Sequence, residues 1–127
     1  MQIAFLDNFK NVNAHVLNPV FLVVSTCKIS GICWFTHGRR DPDSDVGVYD
    51  SKHRGFNPVH ATAVDLQIWD GRNVNEQGMT RLKGLLQRRL PDGYDVVLEE
   101  PGEYDNEHLL LHVEHDMEDD AEPDGST

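Results

Sequence analysis

The sequence predicts an α+β fold, a small and mainly antiparallel sheet flanked by two or three helices, and three observations carry this. Short runs rich in β-branched and aromatic residues, at 32–36, 61–69, 94–99 and 109–115, are bounded by glycine, proline or acidic clusters, as strands are. One long amphipathic segment, 75–90, places Met79, Leu82, Leu85, Leu86 and Leu90 on a single face, as a helix packed on a sheet does. Finally, 127 residues bury one modest core and not two. Residues 1–116 are therefore expected to form one domain, and 117–127 an acidic, mobile tail.

The elements follow in order. MQIAFL at the start reads equally as an edge strand or as an arm docking on a partner. Asn18-Pro19 has the form of a helix start, Asn accepting at the cap and Pro at the first helical position. Val20, Phe21, Val23, Val24 and Cys27 follow before Gly31 stops the element, although its β-branched content keeps a strand open. Residues 32–36 read as a core strand closed by Gly38. Residues 61–66 form a strand that brings Asp65 inward, 67–69 extend it, and Asp70-Gly71 turns it. Asn75 caps the amphipathic helix, whose Arg81, Lys83, Arg88 and Arg89 form a solvated outer face. Pro91-Asp92-Gly93 ends that helix, and 94–99 is a second convincing strand. In the last strand Leu109, Leu111 and Val113 alternate with Leu110, His112 and Glu114, so one face is aliphatic and the other holds His112.

Composition narrows the function classes. With 22 acidic against 11 basic residues and a net charge of −11, the chain repels phosphate backbones and anionic headgroups, so neither nucleic acid nor membrane is an expected partner. No apolar stretch approaches the ~20 residues of a membrane span, and no export signal opens the chain, which is expected to be made in a cytoplasm. Cys27 and Cys33 are too sparse for a disulfide framework and read as buried thiols. A metal site of Cys27, Cys33 and His37 is not expected, because both thiols sit within apolar elements.

Ser51-x-His53 with Ala63-Val64-Asp65-Leu66, then Val96-Val97-Leu98-Glu99, then His112-Val113-Glu114, resembles the zinc D-Ala-D-Ala carboxypeptidase and L-alanyl-D-glutamate endopeptidase family over residues 17–116. The resemblance implies a Zn2+ ion held by His53, Asp65 and His112, the His/Asp/His ligand types of a catalytic zinc with an open position. In the family's common pattern, Ser-x-His-x-x-Gly-x-Ala-x-Asp, the first His lies closer to the Asp than the twelve positions from His53 and farther than the five from His60. His53 is favoured, because Ser51 accompanies it and some phage-encoded relatives carry a longer Asn-Pro loop like Asn57-Pro58; His60 remains the alternative. The family's His-x-His-Val-Glu ending lacks its first His here, where Leu110 stands, and His108 lies four residues before His112. Leu109 occupies the position of the family's usual base, so Glu99 is the candidate base, with Glu107 behind it and His108 at the rim. Thr36, Gly38 and Arg39 resemble the turn whose Arg pairs with a substrate carboxylate; Arg39 and Ser51 are the expected substrate-binding residues, although Arg39 and Arg40 read equally as the opening of the acidic loop that follows.

The implied function is a zinc-dependent peptidoglycan peptidase cleaving a stem-peptide amide bond involving D-alanine or D-glutamate. It would be phage-encoded and act at the bacterial cell wall, or be carried on a virion beside other tail proteins. The competing expectation is a virion structural or binding protein that keeps the fold without hydrolysis.

Overall fold

A computed structural model describes residues 1–6, 9, 12–37, 61–102 and 107–116. The chain runs β1 (Gln2–Phe5), α1 (Ala14–Thr26), β2 (Ile32–His37), β3 (Ala63–Asp70), β4 (Asn73–Val74), α2 (Glu76–Arg89), β5 (Tyr94–Glu99) and β6 (Leu110–His115). These make a six-stranded mixed sheet in the order β1-β2-β3-β6-β5, with β4 paired on β3. Among the described strands β1 and β2 run parallel, and the other neighbours are antiparallel. Among the described residues the fold is thus α+β with two helices, and the Gln2–Phe5 part of MQIAFL forms an edge strand of the described sheet. No helix among the described residues is long and apolar enough to cross a membrane.

Side-chain alternation sorts the sheet into two faces. Cys33 and Phe35 of β2, Val64, Leu66 and Ile68 of β3, Val96 of β5, and Leu111 and Val113 of β6 form one core with Val16, Val20, Val23 and Val24 of α1 and Met79, Leu82 and Leu86 of α2. Both helices therefore cover the same face, and the opposite face is left to Asp65, His112 and their neighbours. Burial dominates the stability of such a layer: truncating a fully enclosed residue such as Leu66 or Leu86 to Ala costs about 2–5 kcal/mol. Cys27 and Cys33 are free and buried, and burial pushes the Cys33 thiol up to about 12, so it is an inert part of the core.

The start of α1 corrects the sequence expectation. Asn13, not Asn18, caps the helix, accepting from the His15 amide at 2.8 Å, and Pro19 lies inside it. The stripe Val16, Val20, Val23, Val24, Cys27 explains the earlier start, since its helical spacing begins before Pro19. A proline at position 19 has no N–H for the carbonyl of residue 15, four positions back. Tyr94 at the start of β5 replaces it: its hydroxyl donates to the His15 carbonyl. The helix also ends at Thr26, before Gly31, which instead forms the entry to β2. There φ is +109°, and a Cβ would lie 2.5 Å from the Trp69 carbonyl oxygen, so only glycine fits.

The α2 boundaries agree with expectation. Asn75 Oδ1 accepts from Gly78 N at 2.9 Å while its Nδ2 donates to the Ser30 carbonyl at 3.1 Å, tying the helix start to the turn before β2.

The Tyr94 contact generates a test. Tyr94→Phe should lower stability by about 0.5–1.5 kcal/mol, the worth of one net hydrogen bond. In a Pro19→Ala background, where residue 19 regains its own N–H, the same change should cost much less. A double-mutant cycle by denaturant unfolding reads the coupling; additive effects would show that Tyr94 does not substitute for the missing amide.

Candidate functional site

The face opposite the helices carries a cluster built on the two central strands. Asp65 of β3 and His112 of β6 are directly opposed in the antiparallel register, so their side chains leave the sheet side by side. His112 Nδ1 lies 2.7 Å from Asp65 Oδ1, and His112 Nε2 lies 2.8 Å from Glu114 Oε1. Glu114, two residues along the same strand, shares that face. A third strand contributes His37, whose Nδ1 is 3.5 Å from Asp65 Oδ2.

These groups differ in exposure. The Asp65 and His112 side chains are 7% and 13% exposed, whereas that of His37 is 55% exposed. Burial by itself lowers the His112 pKa, but hydrogen bonds and charge from Asp65 and Glu114 outweigh it and push the value up to about 10. At neutral pH the ring is therefore an imidazolium donating to a carboxylate on each side. Thr36 secures the neighbourhood, its buried hydroxyl donating to the Asp65 carbonyl at 3.3 Å.

The other expected residues are placed as follows. Glu99 closes β5, opposite Leu110, on the same face as His112 but diagonally removed by two residues along the strand. Such diagonal neighbours are ~7–8 Å apart, with Cβ atoms somewhat closer, within reach of long side chains. His108 precedes β6 rather than lying within it. Its ring packs edge-on against Trp69 with centroids 5.1 Å apart, four residues along β3 from Asp65, a span of ~13 Å. Beside it, Trp69 Nε1 donates to Gln67 Oε1 and Gln67 Nε2 to the Leu109 carbonyl, a polar chain that fixes the entry to β6. Arg39, Ser51, His53 and His60 lie outside the described residues, as does the acidic tail.

Two residues of the cluster were not given roles from sequence. Glu114 stood in the His112-Val113-Glu114 motif, and strand alternation alone puts it beside His112. The sequence groups His37 with the two cysteines, but Cys33 faces the helices while His37 meets Asp65 on the opposite face.

Asp65 and His112 are suitable zinc donors by type. Two ligands of a tetrahedral zinc with bonds of ~2.0–2.1 Å stand roughly 3.3 Å apart, so admitting an ion would require the 2.7 Å pair to open and both donors to turn off their mutual axis. Glu114 then resembles the carboxylate that orients a ligating imidazole through its second nitrogen. Among the described residues, however, no group of three or more His, Cys, Asp and Glu side chains is arranged to hold a metal.

The metal-free cluster has a pH signature. Because folding raises the His112 pKa from 6.5 to about 10, its stabilisation is fully present below pH 6.5 and is lost as the pH climbs to about 10. With zinc chelated, denaturant midpoints of the wild type should fall across this window, while those of His112→Asn should lack that component. Parallel curves for the two proteins would contradict the assignment.

Comparisons with models of protein families, with curated proteins and with solved structures find no match to this chain.

Proposed function

We propose that the chain is a zinc-dependent peptidoglycan peptidase that cleaves a stem-peptide amide bond, phage-encoded and either free or mounted on a virion. The observation that carries this reading is the side-by-side pairing of Asp65 and His112 on the central strands, since these are the two ligands the motif resemblance names from distant parts of the chain. His53 would complete the set, with His60 as the alternative first ligand.

Zinc, when bound, supplies Lewis acidity and makes a nucleophile available near neutral pH. The chain's own groups do the rest. Glu114 holds the His112 ring by its Nε2 edge, leaving Nδ1 toward Asp65. Glu99 accepts the proton of the attacking water on a carboxylate oxygen and returns it to the leaving amine. Arg39 pairs with a substrate carboxylate, and Ser51 contributes to binding. His108, held against Trp69, is suited to contact substrate farther along the face.

One observation favours the second reading, a virion structural or binding protein without hydrolysis: both nitrogens of His112 are engaged by carboxylates, so metal entry must displace a proton and one contact.

Two measurements decide. Purified protein should bind about one zinc per chain, lost in His112→Ala. Glu99→Gln should keep the zinc and the fold but lower hydrolysis of peptidoglycan fragments by at least ~10²-fold. A wild type that binds zinc yet cleaves no wall fragment supports the structural reading. A chain that takes up no zinc removes the peptidase reading altogether.

A further inference from the structure

We propose that His37 is a substrate-contacting residue of the Asp65–His112 site, accepting a hydrogen bond from a backbone N–H of the stem peptide. This rests on the peptidase reading and adds a residue that the motif resemblance does not contain.

The first support is a β-bulge. Cys33 and Phe35 face the helices, so regular alternation would send His37 to the core as well. Instead the register slips: Phe35 opposes Leu66, yet His37 opposes Asp65, so β2 takes two residues for one step on β3. The slip turns His37 to the face of Asp65 and His112, the re-aiming for which bulges beside active sites are known. The displaced residue is anchored, because Thr36 is buried and its hydroxyl is bonded to the Asp65 carbonyl.

The second support is the environment of the ring. Its Nδ1 is turned to Asp65 Oδ2 at 3.5 Å, while the side chain as a whole stays 55% exposed. With Nδ1 facing the carboxylate, Nε2 is the nitrogen turned away from it, and it is the acceptor of a neutral imidazole whose proton is on Nδ1. His112, in contrast, has both nitrogens engaged within the protein and offers a peptide nothing without rearrangement.

The third support is alignment. His37, Asp65, His112 and Val97 form one cross-strand row over β2, β3, β6 and β5. Three strand spacings of ~4.8 Å make this row about 14 Å long, the span of roughly four extended residues. At one end stands the exposed imidazole, and at the other Val97 is 47% exposed. A short extended peptide crossing the strands meets a polar acceptor, the Asp65–His112 pair and an apolar contact in turn.

The test uses the zinc-loaded full chain and stem peptides released from peptidoglycan, with wild type, His37→Phe and His37→Gln. In His37→Phe, KM should rise about tenfold, the size of one lost hydrogen bond, with kcat within about twofold of wild type. His37→Gln, which restores a side-chain acceptor, should recover most of the difference, and zinc content should be the same in all three. An unchanged KM in His37→Phe, a loss confined to kcat, or failure of Gln to recover binding overturns the proposal. Zinc loss in His37→Phe also overturns it, by making His37 a ligand. Absence of turnover by the wild type removes the peptidase reading and this proposal together, whereas turnover with an unaffected His37→Phe removes this proposal alone.

Discussion

The burial of one carboxylate at the centre of the sheet governs the arrangement around it. Asp65 is 5% exposed on a strand whose other face is packed against two helices. An unpartnered charge in such a place would be prohibitive, so partners have to converge on it. They arrive from both neighbouring strands: His112 from β6 on one oxygen and His37 from β2 on the other. Glu114 then meets the far side of His112, giving an acid-base-acid line of three groups. Removing one member of such a buried pair typically costs ~3–5 kcal/mol, comparable to truncating an enclosed core leucine. The hydrophobic layer alone does not require this chemistry, since an apolar residue at 65 would pack between the same strands. Asp65 and its imidazole and carboxylate partners are therefore a feature that packing alone does not account for.

Much of this was legible in the sequence, and the physical reasons for success and failure differ by element. Strands β2, β3, β5 and β6 are apolar or alternating and are closed by turn residues, so their local pattern and their pairing demands agree. Helix α2 has both a capping Asn75 and an amphipathic face. Helix α1 was misplaced because Asn18-Pro19 imitates a helix start. What overrode it is long-range: a hydroxyl from Tyr94, 79 residues away from His15, satisfies the carbonyl that Pro19 cannot serve. No local signal announces such a contact, although the valine stripe beginning at Val16 pointed to the earlier start.

The site divides in the same way. Asp65 and His112 could be named from motif resemblance, and the alternation of 109–115 correctly predicted which face His112 occupies. Their direct opposition depends on the β3–β6 register, which the sequence does not display. Glu114 follows from period-two alternation once His112 is fixed. His37 does not, because a bulge at Thr36 reverses the face that alternation would assign it. His108 shows the opposite case: the same-face rule holds only within a strand, and β6 begins at Leu110, leaving His108 to pack on Trp69.

Under the proposed peptidase function, Asp65 and His112 would be donors to one metal ion on this face. Cobalt(II) taken up in place of zinc reports its ligands directly through its visible absorption, with intense bands for a tetrahedral nitrogen and oxygen site. Such a spectrum is expected at about one cobalt per chain, abolished in Asp65→Ala and preserved in Glu114→Gln, whose side chain meets the imidazole Nε2. An Asp65→Ala protein that binds cobalt with an unchanged spectrum would contradict that expectation.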